Sequence, residues 1–162
     1  MPTEFRIERV FAAPREMVWD AWTNPEQLSQ WSGPKGSKCE TVTADIRTGG
    51  MHHWSMEMPG APGLMYGRAD YREVTPRSKL VWVHGFADAE GNRVPVPFAE
   101  NWPLTMLTTV TFAEEGDATR IVLTWVPLDA SDVEDQVFAE NIPNMTGGWT
   151  GSFEQLDEFL AG

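Results

Sequence analysis

One cysteine, Cys39, is all the thiol chemistry in the 162 residues. No intrachain disulfide can form, and a reducing, cytoplasmic setting is the expectation. The histidines are His52, His53 and His84. With Cys39 they are the only soft donors, and a metal centre needs three or four that converge. His52 and His53, adjacent on a strand, point to opposite faces, so neither a metal nor a cofactor is expected. Cations are also few: 12 Lys and Arg stand against 24 Asp and Glu, for a formal net charge of -12. That balance argues against nucleic acid and anionic membranes as partners. No apolar run is long enough to cross a bilayer, and Met1 to Ile7 lacks the apolar core of a signal peptide. No serine sits in a nucleophile elbow, and Cys39 has no neighbouring base. Gly147-Gly148 lacks the lysine and the strand-turn-helix setting of a phosphate loop.

What the chain does have is large, soft side chains: eight Trp, eight Met and eight Phe. Three stretches place them at every second position. These are His52/Trp54/Met56/Met58, Leu80/Trp82/His84/Phe86 and Met106/Thr108/Val110/Phe112. Period two is a strand signature, so each set faces one side of a sheet. Asn144 to Leu160 reads instead at helical spacing, with Met145, Trp149, Phe153, Leu156 and Leu160 in one stripe. A single helix across such a face does not easily fill the space between bulky rings. The expectation is an apolar cavity between a sheet and this helix.

The remaining elements follow from turn and cap signals. Phe5 to Phe11 alternates as a first strand, and Pro14 suits the first position of a helix carrying Met17, Val18, Ala21 and Trp22. Asn24-Pro25 ends it, and Glu26 to Trp31 forms another turn or two before Gly33-Pro34. Strands are expected over Val42 to Arg47, His52 to Met58, Tyr66 to Val74, Lys79 to Phe86, Leu104 to Phe112 and Thr119 to Val126. Gly49-Gly50, Pro59 to Gly63 and Glu114 to Asp117 serve as turns. Ala87 to Pro103 is a long insert in which Val94-Pro95-Val96-Pro97 cannot be a central strand. Ser131 to Glu134 has the form of a capping box and opens a helix through about Asn141. Pro143 then kinks or breaks it. No repeat or linker divides residues 1–162, so one domain is expected.

The candidate lining comes from the strands and the terminal helix. The strands supply Trp54, Met56, Tyr66, Trp82, His84, Phe86, Met106, Val110 and Trp125, and the terminal helix supplies Met145, Gly148, Trp149 and Phe153. Gly147, Gly148 and Gly151 cost roughly 1 kcal/mol each against alanine within a helix. They serve either close packing of the helix on a strand or open space beside Trp149. Glu154, Gln155, Asp157 and Glu158 read as that helix's solvated face. His52 and His84, set among tryptophans, are the best acid or base candidates, although half-buried structural histidines are the commoner case. Arg9 shares a strand face with Phe5, Ile7 and Phe11, and a salt bridge at the rim is expected for it. Asp45 and Arg47 are expected to pair.

Ala13-Pro14, Val18 to Pro25, Trp31 to Gly36, Asp45 to Gly50, Glu73-Val74 and Gly148-Trp149 together resemble one family in order, as does the closing Phe153 to Leu156. It is the bacterial branch of the SRPBCC (START-like) superfamily related to the activator of the ninety-kilodalton heat-shock protein ATPase. The resemblance implies an α+β helix-grip fold. A curved antiparallel sheet of six or seven strands would wrap a long C-terminal helix, with two short helices after the first strand. It also implies an apolar cavity, in a superfamily whose members bind lipids, sterols or polyketides; the stacked alternation and helix glycines make a small hydrophobic or aromatic molecule the expected partner, of a monomer or a homodimer. Relatives leave two further roles open: a co-chaperone-like protein acting on a chaperone ATPase, and a polyketide cyclase or aromatase using His52 or His84. Ser32 departs from the family, where a second tryptophan is common. The long proline-rich insert departs too, and is the segment expected to act as a lid.

Overall fold

A computed structural model describes residues 3–33, 36–60, 63–96 and 100–162. Pro34-Lys35 of the quoted motif, Ala61-Pro62 of the expected loop and Pro97 of the insert lie outside them. The order is β1 (Phe5–Phe11), α1 (Arg15–Thr23), α2 (Pro25–Trp31), β2 (Lys38–Ala44), β3 (Met51–Glu57) and β4 (Met65–Thr75). There follow β5 (Lys79–Ala87), β6 (Thr105–Glu115), β7 (Ala118–Leu128), α3 (Asp132–Glu140) and α4 (Ile142–Ala161).

The strands form one antiparallel sheet in the order β1-β7-β6-β5-β4-β3-β2, curved around α4 in the helix-grip arrangement. Register shifts at Thr41/Thr43 in β2 and Tyr71/Glu73 in β4 bend the sheet, as an extra residue on one strand does. α4 packs most closely on β1, α1 and α2. There Phe11, Val18, Ile121, Leu123, Phe153 and Leu156 are fully buried.

Local chemistry explains the ends of the elements. Asn24 caps α2 through Oδ1, which accepts from the amides of Glu26 and Gln27, and Pro25 occupies the first turn. Ser131 and Glu134 complete the capping box reciprocally, at 3.2 and 2.9 Å. The helical path breaks at Asn141, and Pro143 sits in the first turn of α4, where its missing N–H costs nothing.

Several expectations are corrected. β2 runs over Lys38–Ala44 rather than Val42 to Arg47. Asp45 to Gly50 instead closes a tight turn, with the Gly50 amide donating to the Arg47 carbonyl at 2.8 Å. Gly50 is required there, since a Cβ would lie 1.9 Å from the Asp45 carbonyl oxygen. Pro14 precedes α1 as its N-cap instead of entering it. In that helix Trp19 is buried and Met17 is exposed. The outer face of α4 is not merely solvated. Gln155 Nε2 donates to the carbonyls of Trp31 and Gly33 at 2.9 and 2.8 Å, and Asp157 accepts from Arg9 at 2.5 Å. Arg9 is thereby an ion pair at the rim. Asp45 and Arg47 pair at 2.8 Å on the surface.

Candidate ligand cavity

Cross-strand register decides which side chains meet. His52 pairs with Ala69 and Ala69 with His84, so the two histidines stand on one row of the concave face with a methyl between them. The next row toward the insert is Trp54, Gly67 and Phe86. The row on the other side holds Tyr71, Trp82, Thr108 and Trp125. Gly67 is needed because the Trp54 ring lies on it, where a Cβ would come within 2.3 Å of ring carbon.

Between these rows and the N-terminal half of α4 lies a cavity of about 660 Å³. That is within the size range of small-molecule sites, about 300–1,000 Å³. Trp54, Met56, Trp82, His84, Phe86, Met106 and Trp125 border it from the sheet, and Met145, Gly148 and Trp149 from α4. A Cβ on Gly147 or Gly148 would meet nothing within 4 Å. Both are exposed; Gly148 borders the cavity and Gly147 does not, and neither serves close packing on a strand.

Three candidates are placed differently. Val110 and Phe153 are fully buried in the solid core and do not border the cavity. Tyr66 reaches its border, yet pairs with Ser55 on the opposite face, and its ring lies tilted against His53 at 5.6 Å. Conversely, the sequence reading did not single out Trp22, Trp31, Ala69, Tyr71 or Trp102, all of which border the space. Trp22 links the two layers, stacked on Trp149 at 6.1 Å and edge-on to Trp31 at 4.7 Å. The indole N–H groups of Trp22 and Trp125 are buried without an acceptor among the described residues.

The insert divides in function. Its first part is pinned to the outer face of the sheet. His53 Nε2 donates to the Asp88 carbonyl at 3.0 Å, Arg68 donates to Gly91 at 3.0 Å, and Arg93 donates to Asp70 at 2.5 Å. Further along, Val96, Trp102, Pro103 and Leu104 border the cavity, and the Trp102 ring lies tilted against Phe138 of α3 at 5.7 Å.

Apart from Glu40, the described polar side chains that border this space are uncharged near neutral pH. Burial, helped by the neighbouring His53, lowers the His52 pKa to about 4; burial, helped by Arg93, lowers that of His84 to about 4. The part of His84 left accessible borders the cavity. His84 Nδ1 and the buried Thr108 hydroxyl are hydrogen-bonded at 2.9 Å. Burial raises the Tyr71 phenol, so it stays protonated, and raises the Cys39 thiol despite bonds to Ser32 and Ser37. Among the described residues no three metal-ligating side chains cluster, and no helix is long and apolar enough to cross a membrane.

A family model for activator of Hsp90 ATPase homolog 1-like proteins matches residues 12–161. A solution structure of a protein from Arthrobacter aurescens aligns with TM-score 0.81 and 26% identity over 98% of this chain and 86% of that one. A crystal structure from Mycobacterium smegmatis aligns with TM-score 0.78 and 25% identity, over 97% and 90%. One from Chromobacterium violaceum shares the fold over 99% of both chains, with TM-score 0.77 and 22% identity. No curated protein gives a significant sequence match.

Proposed function

The chain belongs to the family of activator of Hsp90 ATPase homolog 1-like proteins, and from that premise we propose that it binds a small hydrophobic or aromatic molecule between α4 and the sheet. The observation that carries this reading is the cavity of about 660 Å³ bordered by Gly148 and walled by Trp54, Trp82, Trp125 and Trp149. An ordinary core fills such space to crystal-like density. Indole faces on several sides favour a flat ligand, held by offset or edge-to-face contacts.

Native mass spectrometry of protein isolated from its own host tests this, with a copurified small molecule as the expected result. Gly148→Phe puts a ring into the space, so it abolishes that mass and any quenching of tryptophan emission by aromatic ligands. A Gly148→Phe variant that is folded and binds as well as the parent removes the proposal.

The neutral His84, held by Thr108, also has the form of a general base for cyclase-like proton transfer. Turnover that survives the double change His52→Ala and His84→Ala excludes that role. A co-chaperone role, which the family description brings, predicts stimulation of a chaperone ATPase, and no stimulation at micromolar excess excludes it.

A further inference from the structure

The geometry points to a ligand that is uncharged and carries a hydrogen-bonding oxygen at the edge of its ring system, read by His52, Tyr71 and His84 around the Ala69 methyl. The inference rests on the cavity-binding reading and adds the chemistry that the cavity selects.

The first support is the register. His52 on β3 and His84 on β5 flank Ala69 on β4, and Tyr71 lies two residues further along β4 on the same face. With strands about 4.8 Å apart, the two histidine Cα atoms stand about 10 Å apart. Ala69 keeps the floor between the three polar side chains low.

The second support is their unused hydrogen-bonding capacity. Tyr71 is only 5% exposed and borders the cavity, and its hydroxyl has no hydrogen-bond partner among the described residues. That hydroxyl is not among the fully enclosed unpartnered atoms, and the residue that carries it borders the cavity. His84 uses Nδ1 on Thr108 and leaves Nε2 without a partner among the described residues. His52 reaches Thr41 only at 3.5 Å. A buried polar group left unmatched costs about 1–3 kcal/mol, so a ligand oxygen placed here relieves a standing cost.

The third support is charge. Among the described residues that border the cavity, Glu40 is the one that is charged, and none is Lys or Arg. Both histidines resist protonation because of their burial. A carboxylate brought into this space would be desolvated, with no cation among the described lining residues to meet it. The site therefore discriminates against fatty acids and aromatic acids and favours phenols, ketones or alcohols on an aromatic frame.

Three matched probes test this: pyrene, 1-hydroxypyrene and 1-pyrenecarboxylate at pH 7.5, titrated by energy transfer from tryptophan. The expected order has 1-hydroxypyrene roughly tenfold tighter than pyrene, as one buried hydrogen bond allows, and the carboxylate weaker than both. Tyr71→Phe reduces the preference for 1-hydroxypyrene over pyrene, and Tyr71→Phe combined with His52→Leu brings the two close to equal, while pyrene itself binds undiminished. Equal binding of all three probes overturns the inference and leaves the cavity reading intact. A carboxylate that binds tightest, or a preference unchanged in the double variant, overturns it as well. Failure of all three probes to bind defeats the cavity reading and the inference together.

Discussion

The two sides of the sheet meet the same helix with opposite results. On the β1-β7-β6 side, Phe11, Ile121, Leu123 and Val110 interlock with Phe153, Leu156 and Val18, and all are fully buried. Arg9 and Asp157 close the seam. On the β5-β4-β3 side the facing residues are Trp54, Trp82, His84 and Phe86, all only partly buried, and opposite them α4 offers Gly148. Hydrophobic content is not what separates the sides, since tryptophan is abundant on the hollow one. Branched and medium-sized side chains mesh at one end of the helix, whereas rigid rings facing glycines cannot mesh at the other. Stability is thus concentrated in one half of the molecule, leaving the other half free to keep an opening.

The sharpest way to break this contrast is to truncate one residue from each half. Phe153→Ala removes a fully buried ring from the solid side and should cost about 3–5 kcal/mol in urea unfolding. Met56→Ala enlarges a space that already exists and should cost less than about 1 kcal/mol. Equal losses would mean that the hollow side is packed after all.

Acid tests the same contrast next, because His52 and His84 both belong to the hollow side. Each has a folded-state pKa near 4, below the ordinary value of 6.5. Unfolded chains therefore take up these protons first, and stability falls as the pH drops. The contribution of the two neutral histidines is complete above about pH 6.5 and is lost progressively toward pH 4. At 1.36 kcal/mol per unit, each site contributes about 3 kcal/mol over that interval. Denaturant midpoints between pH 7.5 and 4.5 measure the slope, and His84→Gln should flatten it. An unchanged slope in that variant would show that His84 is already well hydrated.

How much of this was legible depended on side-chain size. Strands β3, β5 and β6 were readable because bulky residues recur at every second position, and α3 because its capping box is a local signal. β2 was misplaced because its alternating positions, Cys39, Thr41 and Thr43, are small and form an exposed edge. Periodicity names a face but not a position along it. That is why Val110 and Phe153, in phase with the true lining, lie where α4 and the sheet close up. Tyr66 shows the converse: the residue that faces inward is its neighbour Gly67, which no hydrophobic pattern can mark. Trp22, Trp31 and Tyr71 reach the cavity only through tertiary placement, α1 and α2 folding over one end and the β4 irregularity following Tyr71.

The smallest expected effect gives the most specific test of the hollow side. Gly148→Ala adds one methyl to the middle of a helix at a point where nothing lies within 4 Å. Alanine restricts the unfolded chain and favours the helix, so the change should stabilise the protein by about 0.5–1 kcal/mol. The same substitution at Gly67 should destabilise it, since that methyl would fall 2.3 Å from the Trp54 ring. The signs are opposite because one glycine leaves a space and the other supports a ring. Thermal midpoints of the two single variants read both signs directly. A loss at position 148 would put α4 against the sheet and close the cavity on which ligand binding depends.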